Sequence, residues 1–441
     1  MNSRNRLYSD TPTTKWITIN TQGDLFSGFN TEPICNINWA SSKQVIPVFE
    51  HLGFNLTVTD KKTKMTKKSV EAKVIAPQRE VSPIADLYIT YKGYEKLITT
   101  YGQNILDAIN PVSGRIHTQF QQLMDTGRLS CGGGTDKDTG KPLVNLQNIP
   151  SDKETRACFI AEPGNVWISE DYKGQESVII ADTSEDPAMI RFFQEGKGDI
   201  HSLVAKMVFK DELKDCPIED VKKKFHARRQ EAKGYEFLIN YGGDFNTMKS
   251  NYGLEKEEAL ALYNNYMEGF PGIKKYQDFR RKDVMDKGYI LLNPIVRNKA
   301  YIYDYKELME IKSKMTKEFW DDYRADKQAG LTTERTEMVR KFFKRKADSE
   351  KQSINYPIQA TGALTFKFAS IKFFDWLIKN DLLFKVLYVV PVHDEINVEA
   401  PEELAEIVAN ALAKSMRDAG NIFCKPIPLD VDISMGNHWI H

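Results

Sequence analysis

The sequence has few cysteines and no long apolar run. Five cysteines are scattered through 441 residues without paired spacing: Cys35, Cys131, Cys158, Cys216 and Cys424. This distribution argues against a disulfide framework or a zinc site and is typical of proteins from a reducing cytoplasm. The absence of a long apolar run argues against a membrane span, and the polar start of the chain is unlike a secretory signal. We therefore expect a cytoplasmic protein with no membrane partner.

The sequence also lacks an excess of either charge. Lys+Arg and Asp+Glu each number 61, so net charge does not indicate a nucleic-acid partner. The hydrophobic share of 41% is enough for a large core, and the charged share of 28% predicts a soluble, multi-lobed protein. A neutral protein that binds duplex DNA would have to segregate its charge, with basic residues towards the DNA.

Three short motifs occur in a fixed order, and the first places a carboxylate at the end of a strand. Residues 166–170 predict a short buried strand that delivers Asp171 to its end, and an apolar helical pattern begins after Glu176. A junction of this kind is a common position for groups that bind a ligand. For Asp171 taken alone, a solvated strand end is the alternative interpretation.

The middle motif places Arg229, Lys233, Phe237 and Tyr241 at four-residue steps, which predicts one stripe along a helix that ends at a glycine pair. Arginine and lysine can bind phosphate oxygens while an aromatic ring stacks on a base. The alternative is an ordinary amphipathic helix with its aromatic residues in the core and its cations in water. Taken with the other two motifs, the stripe indicates a nucleotidyl-transfer site.

The third motif is His393-Asp394-Glu395, and the β-rich runs on either side of it predict a hairpin. Neighbouring side chains on a strand face opposite ways, so we assign Asp394 to the metal and Glu395 to an outer position. Magnesium prefers oxygen ligands, and His393 is therefore predicted to be a hydrogen-bonding support.

Together with five further segments, these motifs resemble the polymerase part of family A DNA polymerases, the bacterial polymerase I and phage group. The further segments are Asn110–Thr118, Thr126–Ser130, Asn145–Pro150, Asp199–His201 and Asn355–Gln359. The resemblance runs in order from about Asn36 to His441. It implies an α+β right-hand polymerase fold with a helical thumb, an antiparallel-sheet palm and helical fingers.

The resemblance also implies a division into domains. Residues 1–35 are an unplaced N-terminal segment, 36–112 the thumb, 113–186 the first half of the palm, 187–351 the fingers and 352–441 the second half of the palm. Two amphipathic helices, 41–53 and 82–108, are predicted in the thumb region.

The activity that the resemblance implies is template-directed addition of deoxynucleotides to a primer 3′-hydroxyl, with release of pyrophosphate. Two magnesium ions would be held by Asp171, the Tyr172 backbone and Asp394, with Glu395 in an outer position. The nucleotide would be bound by His201, Arg229, Lys233, Phe237, Tyr241 and Glu176. Lys233 would also give a proton to pyrophosphate, Glu176 and Phe237 would bear on sugar choice, and Tyr241 would lie at the templating base. The DNA contacts implied are Arg128, Gln147, Asn148, Asn355, Gln359 and His393.

The chain departs from the family pattern near the first motif. It reads Asp171-Tyr-Lys-Gly-Gln-Glu176 where Asp-Tyr-Ser-Gln-Ile-Glu is usual, so a glutamine has moved or been lost. Lys351 stands where arginine is common, Ala360 where glycine is usual, and Asp152 where a basic residue often follows. The metal ligands are untouched, and we expect an active enzyme with altered fidelity or primer grip.

Larger relatives carry a 3′ to 5′ exonuclease domain before the thumb, for which the 35 residues before Asn36 are too few. Proofreading is then absent, carried by a separate chain, or removed from the sequence. The expected partners are primer-template DNA, dNTPs and a separate exonuclease or processivity factor. The compact form resembles phage-encoded members, which would place the protein in a host bacterial cytoplasm. Two other functions stay open: a single-subunit RNA polymerase and a catalytically silent DNA-binding subunit.

Overall fold

The computed structural model describes residues 17–19, 33–35, 37–59, 66–135, 140, 142–196 and 198–440. Their contacts divide the chain into two compact units. The first unit comprises Met1–His117 and Gly133–Val144, and the second comprises Thr118–Gly132 and Asn145–His441. Most of the predicted N-terminal segment 1–35 lies outside the described residues.

The secondary-structure elements are numbered along the chain. The strands are β1 (Ile17–Ile19), β2 (Pro33–Cys35), β3 (Thr57–Thr59), β4 (Thr66–Lys68), β5 (Phe120–Gln121), β6 (Ser130–Cys131), β7 (Gly134–Thr135), β8 (Pro142–Leu143), β9 (Asn165–Tyr172), β10 (Tyr289–Leu291), β11 (Lys299–Tyr301), β12 (Leu387–Val392), β13 (Glu395–Pro401) and β14 (Val431–Gly436). The helices are α1 (Ser42–His51), α2 (Ala72–Ile75), α3 (Ile84–Tyr101), α4 (Gln103–Ala108), α5 (Lys153–Arg156), α6 (Gln175–Ser184), α7 (Pro187–Glu195), α8 (Ile200–Val208), α9 (Ile218–Lys224), α10 (His226–Asn240), α11 (Phe245–Tyr252), α12 (Lys256–Gly269), α13 (Pro271–Lys287), α14 (Tyr305–Lys314), α15 (Lys317–Gln328), α16 (Glu334–Lys379) and α17 (Ala405–Phe423).

The first unit has its own small apolar core, in which Phe49 of α1 contacts Phe54 and Tyr88. The single helix predicted over 82–108 is two helices, α3 and α4, because the chain turns at Gly102. A Cβ at Gly102 would lie 2.4 Å from the Ile98 carbonyl oxygen, so this turn requires a glycine.

The second unit is built on a four-stranded antiparallel sheet with strand order β12-β13-β9-β14. In the register, Asp171 near the end of β9 is paired with Glu395 on one side and Asp432 on the other. Glu395 is the first residue of β13, directly after the β12–β13 turn. The end of β9 and the tip of this hairpin therefore lie side by side.

The two faces of β9 have different surroundings because side chains alternate along a strand. Ile168, Glu170 and Tyr172 share one face, and the Tyr172 hydroxyl donates a hydrogen bond to the Met416 carbonyl of α17, 2.8 Å away. Trp167 lies on the opposite face, where its indole donates to Asn397 of β13. One face thus packs against a helix, and the other carries a buried polar network.

The long helix α16 begins at a capping box formed by Thr333 and Thr336 and continues unbroken for 46 residues. It crosses residue 351, where the resemblance places the end of the fingers. Across the described ranges, no helix combines the length and apolarity that a membrane span requires.

Candidate active site

The structure brings Asp171 and Asp394 to the same end of the sheet, where β9 finishes and the β12–β13 turn lies. His393 and Asp394 form the two-residue turn between Val392 and Glu395, which are paired in the register. His393 takes a left-handed conformation with φ 55°, which is uncommon for a residue with a side chain and makes the tight turn possible. Burial is the largest influence on Asp394 and raises the pKa of its carboxyl. The predicted strand end and the predicted hairpin tip are therefore adjacent.

Glu395 lies beneath this tip in a buried hydrogen-bond network. Its Oε1 accepts from Trp439 Nε1 at 2.6 Å and from Asn397 Nδ2 at 2.9 Å, and its Oε2 lies 3.4 Å from Arg156 Nη1. The Arg156 guanidinium also lies 4.2 Å from the centre of the Trp439 ring, which stacks on Trp167. Three donors fix the carboxylate, so this position suits a support better than a direct metal ligand.

The departure from the family pattern, residues 173–175, comprises the turn between β9 and α6 and the first residue of α6. Gly174 takes a left-handed conformation with φ 58°. The Lys173 ammonium lies 2.9 Å from Asp430 and 3.1 Å from Asp432, and the Lys173 backbone N–H donates to the Asp430 carbonyl. The altered turn is therefore joined to β14 and the residue before it.

Glu176 lies in the first turn of α6, and its carboxyl is influenced by Tyr241 at the end of α10. Its Oε1 is buried without a partner among the described residues. Burial raises the pKa of Glu176, while interaction with the Tyr241 side chain and the charge of Arg128 oppose that rise. The residue predicted to bear on sugar choice is thus linked to the one predicted at the templating base.

The α10 stripe is half-buried, while Tyr235 and Ile239 of the same helix are in the core. The rings of Phe237 and Tyr241 stack with centroids 6.3 Å apart, and the Lys233 ammonium lies 5.9 Å from the Phe237 ring centre. The core face of this helix therefore does not include the two aromatic residues of the stripe.

Two of the predicted phosphate ligands have acidic partners in this structure. Arg229 donates through Nε to Asp199 at 2.9 Å, and His201 Nδ1 lies 2.7 Å from the buried Glu236. Asp199 also caps the start of α8 by accepting from the Ser202 N–H. These carboxylates orient the two basic side chains beside the helix stripe.

A cavity of about 270 Å³ lies between the β12–β13 tip and α6. Five of the predicted site residues line it: Arg128, Gln147, Glu176, His393 and Asp394. The remaining lining residues are Gly127, Leu129, Gln175, Gly362, Ala363, Phe366, Lys367 and Pro391. The predicted triphosphate ligands His201, Arg229 and Lys233 do not line this cavity.

The other predicted DNA contacts lie outside the cavity. Asn148 is exposed at the end of a short 3₁₀ turn, Leu146–Asn148. Asn355 and Gln359 are one turn apart on α16, and the Asn355 Oδ1 is buried without a partner among the described residues.

The donor chemistry of the site fits magnesium. Asp171 and Asp394 offer carboxylate oxygens, the ligand type that this ion prefers. In the described part of the chain, no group of three or more His, Cys, Asp or Glu residues is arranged to hold a metal. Magnesium is commonly bound by one or two carboxylates, with water and substrate phosphates as the other ligands, so two carboxylates are sufficient.

Four supporting residues were not predicted from the sequence: Arg156, Glu236, Asn397 and Trp439. Arg156 and Glu395 are 239 positions apart, and Trp439 and Glu395 are 44 apart. No local pattern indicates contacts across such separations. A tryptophan beside the chain end and a lone arginine in a short helix carry no signal of their own.

Comparison with known proteins gives one consistent result. The family model described as DNA polymerase family A matches residues 30–441. DNA polymerase I of Caldicellulosiruptor bescii is 32% identical over 384 residues, which are 86% of this chain and 38% of that protein. The thermostable DNA polymerase I of Thermus aquaticus is 30% identical over 398 residues, 89% of this chain and 40% of that protein. The chain thus spans about two fifths of the length of these relatives.

Among solved structures, the chain resembles the "POL domain of Pol1 from M. smegmatis complex with DNA primer-template and dNTP". The TM-score is 0.71 at 22% identity, and the match covers 92% of this chain and 62% of that one. At this level of identity the likeness establishes the fold. The α+β right-hand polymerase fold expected from the sequence is confirmed, and the individual site assignments and domain boundaries stay predictions.

Proposed function

Because this chain belongs to DNA polymerase family A, we propose that it is a template-directed DNA polymerase that extends a primer 3′-hydroxyl with deoxynucleotides and releases pyrophosphate. The observation that carries the proposal is the pairing of Asp171 at the end of β9 with the hairpin tip that bears Asp394. One carboxylate on a strand and one on the adjacent hairpin turn are suited to phosphoryl transfer, which depends on positioning and charge stabilisation.

We infer that two magnesium ions bind at this end of the sheet, held by Asp171, the Tyr172 backbone carbonyl and Asp394. Bound there, they would lower the pKa of the primer hydroxyl and stabilise charge on the reacting phosphate and the pyrophosphate. Strand pairing would hold Asp171 directly and Asp394 through the paired residues on either side of its turn. Glu395 holds the tip from below through its three hydrogen-bond donors.

The proposed triphosphate site is the half-buried stripe of α10 with His201 of α8. Arg229 and Lys233 would bind the phosphate oxygens, and Lys233 would give a proton to the departing pyrophosphate. Asp199 and Glu236 orient Arg229 and His201 before the nucleotide arrives. Phe237 would lie against the sugar, and Tyr241 would lie at the templating base.

Glu176 is the proposed determinant of sugar choice. Its largely buried side chain lines the cavity, where it would exclude a ribose 2′-hydroxyl. Arg128, Gln147, Asn148, Asn355, Gln359 and His393 are the proposed contacts to DNA. Relatives of this chain are bacterial proteins, and we place its action in a bacterial cytoplasm.

The test of function is extension of a labelled primer on a DNA template with magnesium, comparing deoxynucleotides with ribonucleotides. We expect extension with deoxynucleotides only and no trimming of a mismatched 3′ end. Efficient ribonucleotide incorporation would favour the RNA polymerase alternative. Binding of primer-template without extension by folded protein would favour the silent DNA-binding subunit.

The variant Asp394→Ala should abolish extension, a loss of at least about a thousandfold, because the metals would lose a carboxylate where charge develops. Primer-template affinity should stay within about threefold of wild type, because phosphate contacts from basic residues supply most of it. Fluorescence anisotropy measures that affinity beside the extension rate. Asp418→Ala, at an exposed carboxylate of α17, is the matched control and should leave both unchanged. A large loss of DNA affinity in Asp394→Ala would contradict its assignment to the metals.

A further inference from the structure

Among residues 173–175, which depart from the family pattern, Gln175 is the one whose side chain is buried at the proposed site. It is the first residue of α6 and is only 8% exposed. Its amide Nε2 is buried and has no hydrogen-bond partner among the described residues. Native proteins rarely leave a buried N–H donor unpaired, so this donor indicates a partner that arrives from outside the chain.

Space for this side chain depends on Gly362 of α16. A Cβ at Gly362 would lie 2.7 Å from Gln175 Oε1 and 3.5 Å from its Cδ, so even an alanine would displace the amide. A glycine inside a helix reduces helix stability relative to alanine. Glycine at position 362 therefore lowers the stability of α16, but it leaves the space that the Gln175 amide occupies.

The surroundings of Gln175 point to the DNA rather than to the incoming triphosphate. Gln175 and Gly362 both line the cavity that Arg128, Gln147 and His393 also line, and these three are proposed DNA contacts. Asp394, a proposed metal ligand, and Glu176, the proposed determinant of sugar choice, line the same cavity, so the cavity would hold the reacting end of the primer. The proposed triphosphate ligands on α8 and α10 are not part of its wall.

We propose that Gln175 determines specificity by donating its Nε2 N–H to a minor-groove acceptor of the primer-terminal base pair, an inference that rests on the proposed polymerase function. Every Watson–Crick pair presents a purine N3 or a pyrimidine O2 at its minor-groove edge. One N–H donor can therefore form a hydrogen bond with any correct pair. A mismatched pair displaces these acceptors and leaves the buried donor unpaired, which slows extension.

The test compares wild type with Gln175→Leu, which has a similar shape but no amide. In one set, primers end in adenine or in 3-deazaadenine, in which C–H replaces the N3 acceptor, opposite thymine. In a second set, a primer ending in thymine is paired with adenine or 3-deazaadenine in the template. We expect wild type to extend the analogue about tenfold more slowly at one of the two bases. Gln175→Leu should already be about tenfold slower on the natural pair and lose no more than about twofold further at that base.

Two more variants make the result specific. Gly362→Ala keeps the glutamine but displaces its amide, so it should reproduce the insensitivity of Gln175→Leu; it also serves if Gln175→Leu does not fold. Gln194→Leu, at an exposed glutamine of α7, is the matched control and should keep the full wild-type sensitivity to the analogue. Thermal melting followed by circular dichroism reports folding of each variant.

Two outcomes overturn the proposal, and they differ from each other. If wild type extends natural primers while Gln175→Leu keeps the full wild-type sensitivity at both bases, Gln175 does not contact the terminal pair and the polymerase assignment stands. If folded wild type extends no primer, the proposed function fails and this inference fails with it.

Discussion

Two buried glutamates flank the proposed metal ligands, and their surroundings are opposite. Glu395 follows Asp394 and has three donors on its carboxylate, from Trp439, Asn397 and Arg156. Glu170 precedes Asp171, is fully buried, and neither of its oxygens has a partner among the described residues. The same side chain is thus paired on one face of the sheet and isolated on the other.

The isolation of Glu170 follows from the alternation along β9. Its register partners are Ile396 of β13 and Ile433 of β14, so apolar side chains flank it on both neighbouring strands. Burial raises the pKa of Glu170 to about 9, which keeps the carboxyl neutral at pH 7. The comparison shows that burial alone does not make a carboxyl a support; its donors do.

The largest effect is expected at the paired glutamate. Glu395→Ala should lower the free energy of unfolding by about 3–5 kcal/mol, because it removes the carboxylate that faces the buried Arg156 charge. Primer extension should also be lost, because the tip that bears Asp394 loses its support. Urea denaturation measures the first effect and primer extension the second.

A double variant separates the charge from the support at this position. Glu395→Leu combined with Arg156→Met removes both charges and should recover much of the stability, because a buried ion pair can be replaced by apolar residues of similar volume. Extension should stay low, because the hydrogen bonds beneath the tip are still absent. Near wild-type extension in the double variant would show that Glu395 does not position the tip.

The isolated glutamate should give a smaller change of opposite sign. Glu170→Leu replaces an unpaired buried carboxyl by an apolar side chain among isoleucines, and the free energy of unfolding should rise by about 1–3 kcal/mol. Urea denaturation at pH 7 without metal ions measures it. Glu399→Leu is the matched control on β13, since Glu399 is equally buried but accepts a hydrogen bond from the Glu162 N–H. If both variants are destabilised alike, the Glu170 carboxyl is stabilised by a partner in the folded protein and is not isolated.

The proposed reacting groups could be predicted from the sequence because each is encoded within one contiguous run. Alternation and apolar content predicted the strand that ends near Asp171 and the hairpin with its tip at His393–Asp394. Four-residue steps predicted the stripe of α10. Local pattern and local structure coincide in these three segments.

The supports could not be predicted, because they depend on where distant segments meet. Trp439 and Arg156 reach Glu395 from separate parts of the chain, and a lone tryptophan or arginine carries no periodic signal. Gln175 is an intermediate case. The sequence showed that a glutamine stands in an unusual position, but only the structure shows the space that Gly362 leaves for it.

The smallest effect is expected at Lys173, which extends the comparison to an exposed charge. Its side chain is 47% exposed, and its ion pairs with Asp430 and Asp432 are screened by water, so Lys173→Ala should change the free energy of unfolding by less than about 1 kcal/mol. The backbone hydrogen bond to Asp430 does not depend on the side chain, and Arg417 still pairs with that carboxylate. Extension should therefore stay near wild type, as it should for the control Lys414→Ala, which breaks an exposed pair on α17. If Lys173→Ala lost as much stability as Glu395→Ala, burial of the paired charge would not be what separates the two sites, and the turn itself would be the support of Asp171.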